Sequence, residues 1–329
     1  MSQFDVYGIG NALVDTEFEV TDTFLTETGL EKGVMTLIDA ERRIELIGLL
    51  EARENHEVIE QSGGGSAANT MVAAAQLGAK SFYSCKVAAD ATGDFFMEDL
   101  KAAGVTTNLD SGRDTGHSGQ CISMVTPDAE RSMTTHLGIS EELSVAELNE
   151  DALKNSAYLY IEGYLVTSPT AMAAARRAQD IAREAGVKVS LTLSDPAIVE
   201  HFKPAFDEFA EHGIDLLFCN EDEAMTWTAS QTKEEAFGKL KTISQMVVMT
   251  QGKDGAMVWD GKSEAHVPGT AAKAVDTTGA GDIFAGAFLA ATCQGHTFEA
   301  AATLANRVAA KLVSQFGARL TRDEILALK

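Results

Sequence analysis

The chain has 329 residues, 45% of them hydrophobic and 23% charged, which supplies a sizeable core and excludes disorder as the main state. Acidic side chains number 49 against 26 basic ones, a net charge of −23 with no run of Lys and Arg longer than a pair. That field repels phosphate backbones and anionic surfaces, so neither nucleic acid nor a membrane is expected as a partner.

A phosphorylated small molecule stays open, provided that backbone amides and a metal supply positive potential locally. Cys85, Cys121, Cys219 and Cys293 lie far apart without CxxC, and the histidines show no HxxxH or HxH spacing. No structural zinc is expected. The sequence shows no basic leader and no stretch of about 18 apolar residues, so it reads as a soluble protein of the reducing cytoplasm.

Residues 6–10 form a short apolar run ending in Gly10, the pattern of a buried first strand, with Asn11 to Asp15 as a polar exit. Residues 40–52 carry Ile44, Ile47 and Leu50 at helical spacing behind Asp39 as N-cap. After Val58 and Ile59 comes Gly63-Gly64-Gly65, then an alanine-rich helix over 66–77 closed by Gly78. Strands are predicted over 82–87, 158–161, 187–193, 216–219 and 246–250, and helices over 93–103, 170–184, 221–228, 279–292 and 298–314. This alternation indicates an α/β fold with a predominantly parallel central sheet and helices on both faces.

Two stretches break the rhythm: residues 17–20 with 34–38, and residues 119–125 turning through Thr126 to Ala129 into 131–137. They read as strand-turn-strand material without helices between, a small β lid inserted into the main unit. The expected division is residues 1–13, 40–106 and 138–329 for the large domain, and 14–39 with 107–137 for the lid.

The segment Asp276-Thr277-Thr278-Gly279-Ala280-Gly281-Asp282 carries the most chemistry. Its small residues let a ligand approach the main chain, and the following helix aims unpaired N–H groups at that point. Asp282, in the first helical turn, is placed to accept a proton from a hydroxyl attacking a phosphorus held there.

With Gly63 to Asn69 and this DTTGAGD string, the sequence resembles the PfkB family of carbohydrate kinases over nearly its whole length. It is most similar to the adenosine kinase branch, through residues 8–15, 160–164, 191–194 and 215–224. The resemblance implies a ribokinase-like fold and an ATP- and Mg²⁺-dependent kinase acting on a nucleoside or a sugar. In that reading Asp282 is the catalytic base, and Gly279, Ala280 and Gly281 form the anion hole. Arg131 on the lid reaches the transferring phosphates. Asn11, Asp15, Gly64, Gly65 and Asn69 hold sugar hydroxyls. Asn220 and Glu223 match N-x-x-E, which organises Mg²⁺ and its waters, although as bare residues they equally suit a helix cap. Thr250, Gly252 and Gly255 line the nucleotide, and Asn306 stands beside the adenine. K⁺ is implied near Asp276 and Gly317. The state is a monomer or homodimer.

One position departs: a gapless reading puts Met35 where eukaryotic adenosine kinases carry a base-contacting glutamine, and a thioether reads no purine edge. A sugar kinase acting on ribose, fructose or 2-keto-3-deoxygluconate is therefore the alternative to a nucleoside kinase. Other classes fit worse. Gly8-Ile9-Gly10 has Leu13 where a dinucleotide fingerprint needs glycine, and Gly261-Lys262-Ser263 has Ala256 where Walker A needs one. A binding protein that has lost catalysis is opposed by the presence of Asp282 and Glu223.

Overall fold

In the strand Phe4–Ile9 every residue but Asp5 is buried, as expected where helices cover both faces of a sheet. The computed structural model describes residues 2–33, 35–52, 58–127 and 131–329, with residues 35, 58–60, 111 and 131 described by their backbone only. The main sheet has eight strands, in the order Glu264–Val267, Ala256–Trp259, Ser244–Thr250, Ile214–Asn220, Lys188–Thr192, Ser156–Ile161, Phe4–Ile9 and Ser81–Ser84. The first two form an antiparallel hairpin on an otherwise parallel array.

Successive side chains on a strand point to opposite faces, and the sequence uses both. Val6, Tyr158, Tyr160, Leu216 and Phe218 enter one core beneath the helices Ser66–Gln76, Ala280–Cys293 and Phe298–Leu312. Tyr7, Ile9, Leu159, Ile161, Leu217 and Cys219 enter the other, with Phe206, Phe209 and Phe237 from the helices Lys203–Glu211 and Lys233–Ile243. Each fully buried side chain of this size contributes about 1.5–3 kcal/mol. Two of these helices, Ser66–Gln76 and Ala280–Cys293, pack unusually closely, because a Cβ at Gly286 would strike the Thr70 carbonyl and come within 2.8 Å of the Ala73 methyl. Their alanine content thus fixes how near their N-termini stand.

A second sheet runs Met35–Leu37, Arg131–His136, Gly119–Val125, Leu13–Glu19 and Val58–Gly64. Phe18, Val20, Ile122 and Met124 pack its back face against Phe24, Leu25 and Leu50. One expectation is corrected: a helix, Asp22–Thr28, capped by the Thr21 hydroxyl, separates strands expected to follow one another without one. Val58–Gly64, in the stretch assigned to the large domain, pairs antiparallel with Leu13–Glu19. Its polar Glu60-Gln61-Ser62 stretch carries no apolar period, so only the pairing reveals it. The turn expected at Thr126 to Ala129 and the start of the 34–38 strand fall partly outside the described residues. No helix among the described residues is long and apolar enough to cross a membrane.

The connections position a site. Phe4–Ile9 is flanked by Ser81–Ser84 on one side and Ser156–Ile161 on the other, so the order of strands reverses there. Ligands of open α/β sheets bind at the carboxyl ends of strands at such a switch point.

Candidate active site

The chain leaves the switch point through Gly10 and Asn11 and returns through Gly64 and Gly65. Gly65 has φ +97°, and a Cβ there would strike the Asn11 carbonyl; only glycine fits this contact. Across the switch point Glu162, 1% exposed, follows the end of Ser156–Ile161. Its carboxylate accepts from the Asn11 side-chain amide at 2.9 Å, the Asn11 N–H at 3.3 Å and the Ala67 N–H at 2.8 Å. Burial pushes the Glu162 carboxyl up to about 7, while these bonds pull it down. Asn11, expected to hold a sugar hydroxyl, is itself 7% exposed, with its Oδ1 accepting from Ser140 Oγ at 3.4 Å. Its carboxamide therefore joins strand ends. Asp15 stands on the second sheet, with its carboxylate against the Cα of Gly64, in the space a side chain there would occupy.

Asp282 opens the helix Ala280–Cys293, which Gly279 caps at φ +74°. Ser66 Oγ donates to Asp282 Oδ1 at 2.6 Å, and Asn69 Nδ2 donates to Oδ2 at 3.2 Å. Thr70 Oγ1 bonds the Asp282 carbonyl at 3.2 Å, locking one helix N-terminus to the other. Withdrawal from water holds the Asp282 carboxyl above its ordinary range, against the pull of Ser66, Asn69 and the Arg319 guanidinium. Of the expected anion hole, Ala280 turns its N–H back onto the Thr277 carbonyl at 3.2 Å. Gly281 and Asp282 provide the first-turn donors that lack an intrahelical acceptor. A Cβ on Gly281 would meet nothing within 4 Å, so packing of the described residues does not account for glycine there.

Asn220 and Thr250 are register partners at adjacent strand ends. Asn220 and Glu223 form a capping box: Asn220 Oδ1 accepts the Glu223 N–H at 2.8 Å and Glu223 Oε2 accepts the Asn220 N–H at 2.9 Å. Burial raises the Glu223 carboxyl to about 7, with the fields of Asp195, Asp222 and Asp282 acting the same way. No group of three or more His, Cys, Asp or Glu among the described residues is arranged to hold a metal. The mutual repulsion between these carboxylates is of the kind that a nearby divalent cation would relieve.

Beyond Thr250 the chain turns through Gly252 to Gly255, where Gln251 N–H bonds the Gly255 carbonyl at 2.7 Å. Asn306 Nδ2 donates to the carbonyls of Val267 and Pro268 at 3.2 and 3.1 Å, which ties the neighbouring strand end to the helix Phe298–Leu312. Asp276 bridges the two loops implied to hold K⁺, accepting from Thr278 N–H at 2.9 Å and Gly317 N–H at 3.1 Å. Arg131 pairs with Val125 at the start of its strand; its side chain, like that of Met35, lies outside what is described.

The motif reading gives three residues at this site no role. Ser66 sits inside the glycine motif as an apparent N-terminal helix residue. Glu162 is a lone acid after an apolar strand, the pattern of a strand-end ligand or clamp. Arg319, which donates from Nε to Asn69 Oδ1 at 2.8 Å, comes from a loop 250 residues away in sequence and no local pattern identifies it.

The comparisons agree with this geometry. A probable sugar kinase from Rhizobium etli is 33% identical, with a TM-score of 0.87 and full coverage of both chains. An adenosine kinase from Sinorhizobium meliloti is 34% identical, with a TM-score of 0.85, covering 97% of this chain and 96% of its own. The ribokinase of Bacillus subtilis is 31% identical, covering 80% of this chain and 86% of its own. The profile described as pfkB family carbohydrate kinase matches residues 34–325. A ribokinase-like fold, a glycine-lined strand end and an aspartate at a helix start thus meet in one molecule, and the chain belongs to the pfkB family of carbohydrate kinases, phosphotransferases with an alcohol group as acceptor.

Proposed function

We propose that this chain transfers the γ-phosphoryl group of ATP to the primary hydroxyl of a nucleoside, adenosine in the first instance. The observation that carries the reading is the Asp282 carboxylate, held by Ser66 and Asn69 in the first turn of a helix that opens at Gly279. Asp282 takes the proton of the attacking hydroxyl, and its strength as a base comes from position and partial burial. The N–H groups of Gly281 and Asp282 receive the phosphoryl oxygens. Asp15, beside Gly64, meets the acceptor's ring hydroxyls, and Arg131 approaches from the second sheet. Mg²⁺, when bound with the nucleotide, neutralises charge on the phosphates; Glu223 and Asn220 stand where its waters would be held. Thr250, Gly252 and Gly255 border the nucleotide.

A second reading, a sugar kinase, is favoured by Met35, whose thioether replaces a base-reading amide, and by the comparable identity to a ribokinase. An ADP-release screen with adenosine, inosine, guanosine, ribose, fructose and 2-keto-3-deoxygluconate decides between them. A preference for adenosine by orders of magnitude in kcat/KM supports the first reading; a preference for a free sugar replaces it with the second. Repeating the best reaction with K⁺ exchanged for Na⁺ tests the cation, and light scattering separates monomer from homodimer.

A further inference from the structure

Arg319 lies between the helices Phe298–Leu312 and Arg322–Leu326, and its guanidinium passes beneath the glycine motif. Nε donates to Asn69 Oδ1 at 2.8 Å, Nη1 donates to the Asp99 carboxylate, and Nη2 is buried with no acceptor among the described residues. Asn69 turns its other end to Asp282. A guanidinium only donates and a carboxylate only accepts. The carboxamide between them therefore has one orientation, oxygen toward Arg319 and nitrogen toward Asp282.

The first glycine of the triplet belongs to the same device. A Cβ at Gly63 would strike the Asp99 carboxylate and come to 3.0 and 3.1 Å from Arg319 Nη1 and Nη2. Gly63 thus leaves the space that the guanidinium fills. A buried N–H without an acceptor is costly, so stability alone is a poor account of an arginine here.

We propose that Arg319 is a positioning residue for phosphoryl transfer: by fixing the Asn69 carboxamide it holds the Asp282 carboxylate in a single orientation. This rests on Asp282 being the base. Arg319 is also a cation that pulls the Asp282 carboxyl down, and Asp282 in turn repels the carboxylates of Glu162 and Glu223 at neighbouring strand ends. Asp99 neutralises the far side of the guanidinium, and Tyr83 and Tyr160, both buried, stay un-ionised beside the group.

The test compares Arg319→Gln, Arg319→Lys, Gly63→Ala and the Gln/Ala double variant. Arg319→Gln is expected to lower kcat roughly 10- to 100-fold with little change in either KM, and to move the acid limb of kcat/KM to higher pH. Arg319→Lys keeps the charge and restores the acid limb but not the full kcat. Gly63→Ala removes no functional group yet reproduces the kcat loss, and the double variant is no worse than Arg319→Gln alone. Lowered thermal stability with unchanged kcat and pH profile would overturn the proposal. The carboxyl ¹³C resonance of Asp282, assigned with Asp282→Asn, titrates independently of activity. Its midpoint rises in Arg319→Gln if the link is real and stays put if it is not, whereas full turnover by Asp282→Asn would overturn the reading of Asp282 itself.

Discussion

The carboxylate of Glu162 accepts the N–H of Ala67 at 2.8 Å, joining the end of one parallel strand to the first turn of a helix 95 residues earlier. Burial lifts this carboxyl from 4.5 to about 7. The folded protein holds the proton more tightly than the unfolded chain, so this contribution to stability is fully present below about pH 4.5 and is lost as pH rises through about 7. Glu223 has the same sign and window. The lowered Glu324 carboxyl, at about 2, acts in the opposite sense and below that window. Glu162→Gln is expected to flatten the stability curve between pH 5 and 8 by on the order of 2 kcal/mol. Denaturant unfolding at both pH values measures it; an unaltered slope would contradict the assignment.

Asp282→Asn keeps the shape of the side chain and both neighbours while removing the proton acceptor. Turnover is expected to fall about 10²- to 10⁴-fold, with acceptor and nucleotide affinities by calorimetry nearly unchanged. Loss of binding with turnover intact would assign the residue to recognition instead.

Glu223 closes a capping box and is proposed to stand behind the waters of the metal, and substitution separates the two roles. Glutamine preserves the capping box, so Glu223→Gln is expected to change stability by less than about 1 kcal/mol while the Mg²⁺ needed for half-maximal rate rises about tenfold. Asn220→Ala, by contrast, loses the cap and about 1 kcal/mol. An unchanged Mg²⁺ requirement in Glu223→Gln would leave Glu223 as a cap alone.

Gly65 combines φ +97° with contact against the Asn11 carbonyl, so Gly65→Ala strains the backbone whichever way the neighbours move. The expected loss is about 2 kcal/mol, read by chemical denaturation, together with a raised KM for the acceptor. Wild-type stability would show that the junction relaxes freely.

The parallel core was legible because its strands are continuous apolar runs and its helices have caps and spacing: Phe4–Ile9, Ser156–Ile161 and Ala280–Cys293 all lie within a few residues of expectation. Val58–Gly64 was not, since a polar strand in a half-open sheet takes its place from pairing. The Gly261-Lys262-Ser263 near miss belongs to a turn, where Asp260 Oδ1 accepts from Lys262 N–H at 2.8 Å and Ser263 N–H at 2.7 Å. At the candidate site, the motif residues are read from local sequence, but the partners that hold them are tertiary. Nothing near Arg319 in sequence predicts that it faces Asn69, and nothing near Asn11 predicts that its amide turns to Glu162.

Two of the connections between the second sheet and the main body are short and meet at the candidate site: residues 10–12 between Phe4–Ile9 and Leu13–Glu19, and Gly65 between Val58–Gly64 and the helix bearing Ser66 and Asn69. Any swing of that sheet would therefore be geared mechanically to the very turn that grips Asp282. If the proposed function holds, lengthening either connection by one residue is expected to decouple capture of the acceptor from alignment of the base.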